Sequence, residues 1–211
     1  MDYAAARRAM VDSQLRPQAV TDPRVVAAMA SVPRELFAPA ASRDVAYNDR
    51  MLPLGGGRAM SAPATLGRML VELAVAPGER TLVIGAGAGY ASAVLVELGA
   101  SVTAVESDTA LAKQHRALVP GVEFISGDLA QGAPAAAPFD VILIDGAVET
   151  IPETLIAQLA PDGRLAACLV DRNVQRLVIG RRAGSGFGVK SIVDAAAAPL
   201  PGFARPHAFT F

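Results

Sequence analysis

Apolar positions along the chain follow two periods. From Arg80 onward, short unbroken apolar runs alternate with stretches at helical spacing. The runs Thr81–Ile84, Val102–Val105, Val122–Ser126, Asp140–Ile144 and Arg164–Val170 predict five strands, and Tyr90–Leu98, Thr109–Leu118 and Pro152–Leu159 predict helices between them. Runs that are apolar throughout, rather than at every second position, belong to strands covered on both faces. The pattern therefore predicts an α/β fold, a mostly parallel central sheet with helices on both faces. After Asp171 the helical spacing stops. Val174–Arg182 and Gly188–Asp194, separated by Ala183-Gly184-Ser185-Gly186, predict an antiparallel hairpin. The tail, Pro199–Phe203 and then Phe209–Phe211, is expected to pack as an extended segment.

Upstream of Arg80 the pattern is helical and interrupted. Asp2 to about Leu15 reads as an alanine-rich helix that breaks at Pro17. Asp22-Pro23 supplies an N-cap and first-turn pair for a helix through about Ser31. Ser61-Ala62-Pro63 opens a third helix to about Ala74, closed by Pro77-Gly78. Between them lies Pro53-Leu54-Gly55-Gly56-Gly57-Arg58. Three consecutive glycines are costly in conformational entropy. This loop is either a flexible connector or a place where backbone passes close to something.

Composition narrows the class. With 211 residues, 52 % apolar and 18 % charged, the chain reads as one globular domain with a full core. Its expected parts are an N-terminal helical cap and substrate loop (1–60), a ligand-binding core (61–170) and C-terminal strands and tail (171–211). No apolar run suits a membrane span, and Met1-Asp2-Tyr3 does not begin a signal peptide. A formal charge of −1 gives no electrostatic case for nucleic acid or an anionic membrane. A lone cysteine, Cys168, excludes an internal disulfide and suits a cytoplasmic protein; its apolar surroundings read as those of a buried thiol. His115 and His207 stand far apart, so neither a His-based metal site nor a nucleophile–His pair is expected.

The candidate chemistry sits where the first long strand turns into a helix. Gly85, Gly87 and Gly89 form a G-x-G-x-G turn; a dinucleotide fingerprint would place its third glycine at Tyr90. The spacing seen here suits S-adenosylmethionine. In such a sheet, ligands lie beyond the carboxyl ends of the strands. The second strand ends in Glu106, about 20 residues past the first glycines, where an acid holds ribose hydroxyls; the alternative is a surface carboxylate. The third ends in Gly127-Asp128-Leu129, either an adenine contact or an ordinary Asp turn. The fourth ends in Asp145, beside the reaction centre or capping the next segment.

Assembled, these residues resemble the protein-L-isoaspartate (D-aspartate) O-methyltransferases, Rossmann-like class I methyltransferases. The likeness runs through Met10–Leu15, Asp22–Val25, Val32–Phe37, Ala46–Arg50, Leu52–Gly55, Ser61–Pro63, Pro77-Gly78, the glycine turn with Tyr90, Gly127-Asp128 and Pro138–Asp140. The N-terminal block is the most specific part, since generic methyltransferases lack it. The resemblance implies methyl transfer from S-adenosylmethionine, leaving S-adenosylhomocysteine, to the free carboxyl of L-isoaspartyl residues in damaged proteins. It implies Ser61 as the catalytic serine; the alternative for Ser61 is an N-cap. It further implies cofactor contacts at Gly85, Ala86, Gly87, Gly89, Tyr90, Glu106, Ser107, Asp128, Leu129 and Asp145. Substrate contacts are implied at Leu54, Gly55, Arg58, Ala59 and Met60.

A carboxylate is already anionic near pH 7, so its attack on a methyl group needs no general base, and the lack of a His-based pair is consistent with this chemistry. Three positions and one segment depart from the family pattern: Val83 stands where an acid is usual, Ala59 where Thr is, Leu129 where Gly is, and Asp145-Gly146-Ala147 replaces a more neutral segment. Restoring the acid, Val83→Asp, is expected to tighten cofactor binding. Two other readings share the same residues. One is a methyltransferase for another carboxylate or a small molecule; the other is a catalytically degenerate cofactor-binding or interaction module. No oligomeric state follows from the pattern.

Overall fold

A computed structural model describes residues 1–184 and 186–205. The Phe209–Phe211 end of the expected tail, His207, and Ser185 of the hairpin turn lie outside them. Asp2 caps α1 (Tyr3–Met10) by accepting the Ala5 N–H at 2.9 Å, and a π-helical turn carries the helix on to Leu15. Asp22 caps α2 (Pro23–Ser31) through the Arg24 and Val25 N–H groups. α3 (Pro63–Leu73) ends on Ala74 in the left-handed region, and Arg164 from the sheet donates to the carbonyls of Leu73 and Ala74 that the helix leaves free.

The glycine loop is not a connector. Leu52–Gly55 (β1) and Arg58–Met60 (β2) pair antiparallel, with Gly55, Gly56 and Gly57 all at positive φ around the bend. The period-2 signal is too short, and too broken by Pro53, to read as strand.

Next come β3 (Arg80–Ile84), α4 (Tyr90–Glu97), β4 (Ser101–Glu106), α5 (Thr109–Leu118), β5 (Glu123–Ser126), β6 (Phe139–Val148), α6 (Glu153–Ile156), β7 (Leu159–Asp171), β8 (Val174–Ala183) and β9 (Gly186–Asp194). The sheet order is β5-β4-β3-β6-β7-β8-β9, parallel from β5 to β7 and antiparallel through β8 and β9. The fold is thus the predicted Rossmann-like sheet with a C-terminal hairpin. Among the described residues no helix is long and apolar enough to cross a membrane.

Alternate residues of the central strands feed two cores. Val83, Val141 and Leu143 join Met10 and Met29 of the cap and Leu66 and Leu70 of α3 on one face. Leu82, Ile84, Ile142 and Ile144 join Leu155, Leu200 and Phe203 on the other. This double burial is why the runs are apolar throughout. Cys168 is buried in the first core, and burial pushes its thiol up to about 12.

Two boundaries move. The helix expected at 152–159 is a single turn, because Leu159 already pairs with Phe139 and opens β7. β6 runs past Ile144 to Val148, held by Ala147, which bonds to both Ala198 and Leu200 of the returning tail. Pro199 bridges Ala147 and Leu200 is buried, but Pro201-Gly202 then form a turn with Gly202 at positive φ, so the segment expected to be extended bends there. Leu200→Ala is expected to cost about 2–5 kcal/mol, the usual range for truncating a buried leucine, read as a lower urea midpoint with an unchanged m-value.

Candidate active site

The Gly85–Gly89 turn joins β3 to α4. Its three glycines have φ of 72°, 54° and 104°, left-handed values that suit residues without a Cβ. A Cβ on Gly89 would also stand 2.8 Å from the His115 ring and 2.9 Å from Val119. The glycine therefore lets α5 pack directly behind the turn. His115 is wholly buried with Nε2 2.9 Å from the Ser92 Oγ. Burial, then the neighbouring Arg116, pushes it down to about 4, so it is a neutral packing residue at pH 7.

Beside this turn β4 delivers the Glu106 carboxylate, which is fully buried. Its Oε2 accepts the Gly87 N–H at 2.7 Å and the Arg58 Nη2 at 3.0 Å; its Oε1 accepts the N–H groups of Ser107 at 2.8 Å and Asp108 at 3.0 Å. Four donors fill a carboxylate. Three are backbone amides fixed by the turn and the strand end, the fourth is the Arg58 side chain, and the Ser107 hydroxyl stands farther off at 3.5 Å from Oε1. Glu106 is not a surface carboxylate.

The hairpin and the tail lie over the turn. Leu54 Cδ1 comes within 3.2 Å of where a Gly87 Cβ would be. Arg58 Nη2 and Leu200 Cδ2 come within 3.0 and 2.9 Å of the corresponding point on Gly85. The Arg58 side chain is 5 % exposed, and its Nε and Nη1 have no partner among the described residues. Of the loop residues expected near a substrate, Leu54 and Arg58 thus lie against the glycines and Glu106. Met60 is buried, Ala59 half-buried and Gly55 exposed at the bend.

Ser61 does not cap α3. Ala62 holds the N-cap position, and Asp49 accepts the Ala64 N–H at 3.0 Å instead. The Ser61 hydroxyl donates to Asp145 Oδ1 at 2.5 Å, linking cap to sheet. Asp145 lies inside β6, so it caps nothing. Burial pushes its carboxyl above the usual range, opposed by the Ser61 hydroxyl and by the charges of Arg58 and Arg34.

Arg34 joins the site without a sequence signal of its own beyond its place in the Val32–Phe37 block. It is wholly buried, donates to the carbonyls of Ala46 and Ser61, both at 2.7 Å, and lies 4.8 Å from the centre of the Tyr90 ring.

Other expected contacts are placed differently. The Tyr90 ring packs into the cap, edge-on to Phe37, and the Leu129 side chain is buried in the second core, so neither side chain reaches the turn. Asp128 makes the ordinary Asp turn, accepting the Ala130 N–H at 2.9 Å. Ser107 is exposed beyond Glu106, and Ala86 is buried within the turn. A separate open cavity of about 670 Å³ is bordered by Asp49, Met51, Ala62, Thr65 and Arg68.

The profile of the protein-L-isoaspartate (D-aspartate) O-methyltransferases matches residues 5–199. The chain belongs to this family. It is 40 % identical over 215 residues to the protein-L-isoaspartate O-methyltransferase of Roseiflexus sp. (strain RS-1), covering 100 % of this chain and 97 % of that protein. It is 46 % identical over 168 residues to that of Methylorubrum extorquens (strain PA1), covering 78 % and 74 %. Two solved structures share the fold. A protein-L-isoaspartate O-methyltransferase superposes with a TM-score of 0.82 at 22 % identity, over 93 % of this chain and 66 % of its own. A putative Plasmodium falciparum member, solved in complex with S-adenosyl-L-homocysteine, gives 0.79 at 19 % identity, over 92 % and 97 %.

The family uses S-adenosylmethionine, and the residues at the turn fit it on one condition. A ribose hydroxyl must donate to Glu106, whose acceptors are full, and of the two donors on Oε2 only the Arg58 side chain can withdraw without unmaking backbone. The usual acid at position 83 would meet an apolar setting here. Val83 is fully buried between Ala104 and Leu143 in the sheet register. Val83→Asp would therefore bury a carboxylate among apolar groups, and its expected effect is lost stability rather than tighter cofactor binding.

For His115, a folded-state value of about 4 lies below the ordinary 6.5. The unfolded chain then binds the extra proton, and stability falls as pH drops from 6.5 towards 4. Urea midpoints at pH 7 and pH 5 should differ more in the wild type than in His115→Gln; equal differences contradict this assignment.

Proposed function

We propose that the chain methylates the free carboxyl of L-isoaspartyl residues in damaged proteins, with Ser61, Arg34, Arg58 and Asp145 shaping the acceptor side and Glu106 and the glycine turn holding the donor. The observation that carries the reading is that the family likeness spans residues 5–199, so it includes the N-terminal cap and Ser61 just beyond it, and not only the sheet. The cap, core and C-terminal strands act as one functional unit. We place the protein in the cytoplasm, acting on protein substrates and not on nucleic acid.

S-adenosylmethionine, when bound, supplies a methyl group on a positively charged sulfur. Attack by a carboxylate oxygen cancels one positive and one negative charge, so a dry, apolar setting favours the transition state over the separated ions. Met60, Leu54, Ala86 and Leu200 form such walls. Asp145, Glu106, Arg34 and Arg58 balance one another in formal charge, leaving an incoming carboxylate no net repulsion. The chain's contribution is alignment and exclusion of water, and well-aligned encounters account for as much as about 7–11 kcal/mol of a barrier. Ser61 has a single proton, held by Asp145. Its oxygen is thereby fixed, and its role is to position the acceptor pocket.

The test is base-labile methyl ester formation on paired peptides that differ only in an isoaspartyl or a normal aspartyl linkage. Transfer to the isoaspartyl peptide alone is expected. Ser61→Ala should lower kcat/KM roughly 10–100-fold, the worth of one hydrogen bond to a charged group. Methyl transfer to a small carboxylic acid with none to the peptide would overturn the substrate assignment.

A further inference from the structure

Arg58 has more donors than partners. It is buried, one nitrogen rests on Glu106, and Nε and Nη1 are unpartnered among the described residues. Unsatisfied donors on a buried guanidinium are costly and call for an acceptor. The Glu106 carboxylate to which it is tied is the group at the strand end where ribose hydroxyls bind in this fold. Its other close donors are backbone amides, and the Ser107 hydroxyl stands 3.5 Å from Oε1. At Oε2, where the second donor is the Gly87 N–H, a ribose hydroxyl can therefore enter only as Arg58 leaves. The strand bearing Arg58 is three residues long and follows three glycines at positive φ, so the move is local.

We propose that Arg58 alternates between two carboxylates: Glu106 while no cofactor is bound, and the methyl-accepting carboxylate of the substrate once ribose hydroxyls hold Glu106. This rests on the methyltransferase reading above. A freed guanidinium near Asp145 and Ser61 is a forked receptor suited to a carboxylate. Release of Arg58 by the donor makes the acceptor site, so the donor binds first. During transfer a carboxylate oxygen forms a bond to the methyl carbon, the carbon–sulfur bond breaks, its electron pair stays on sulfur, and no proton moves. The neutral ester no longer attracts the guanidinium, and Arg58 returns to Glu106 as the products leave.

Calorimetry with S-adenosylhomocysteine alone tests the first half. Arg58→Gln should bind it roughly tenfold more tightly than the wild type, since a charge-assisted contact no longer has to be broken. The same variant, saturated with methyl donor, should show a KM for the isoaspartyl peptide raised roughly tenfold or more. An unchanged or weaker affinity for S-adenosylhomocysteine, or an unchanged KM, overturns the alternation. A wild-type measurement guards against a variant that fails to fold. The peptide should bind the unaltered protein roughly tenfold more tightly with S-adenosylhomocysteine than without it, and equal affinities overturn the proposal. Wild-type protein that methylates the isoaspartyl peptide yet fails these tests sinks the Arg58 assignment alone. Protein that neither binds S-adenosylhomocysteine nor methylates the peptide sinks the functional reading first.

Discussion

The buried Glu106 carboxylate is the knot that ties this site together. Placing an anion where water cannot reach is unfavourable unless every lone pair is met. Here the glycine turn and the hairpin each supply one donor, and the two residues beyond β4 supply their N–H groups, with the Ser107 hydroxyl farther off. The turn takes its shape because Gly87 must offer its N–H to that carboxylate, and the hairpin lies down because Arg58 must offer its charge. On Oε2 one contact is rigid backbone and the other is the Arg58 side chain, which gives the direction in which that oxygen can open to a ligand.

The cap depends on similar physics. Arg34 carries a charge into the protein interior and is held by the carbonyls of Ala46 and Ser61 and by the face of Tyr90. Arg24 bonds to the carbonyls of Val75 and Leu98, so α2 is fastened to the ends of the core helices. Arg7 and Tyr47 close a polar cluster around Glu35. Ser61 inherits its position from this framework, and Asp145 reads that position through one short hydrogen bond. Without the cap, nothing would fix the serine against β6.

The sheet is legible because strands buried on both faces leave unbroken apolar runs, and the turn because glycines at alternate positions are rare outside such corners. Glu106 is legible for a geometrical reason: one βαβ unit separates the turn from the next strand end. The features that stay hidden depend on long-range pairing. The hairpin at 52–60 has too few residues for a period. The extension of β6 comes from Ala147 meeting a tail more than fifty residues away. Tyr90 and Leu129 adjoin the motif in sequence, yet their side chains serve the packing beneath it. Arg34 carries no local pattern, since a buried arginine looks like any surface one until its carbonyl partners are seen. Arg58 looks like a loop residue for the substrate and instead lies on the carboxylate expected to hold ribose.

The most direct measurement is a crystal structure of the protein with S-adenosylhomocysteine bound. The ribose hydroxyls should then lie within hydrogen-bonding distance of Glu106, the nucleoside over Gly85 and Gly87, and the Arg58 guanidinium off Glu106. A nucleoside bound elsewhere, with Arg58 still paired to Glu106 beneath the closed hairpin, would contradict it.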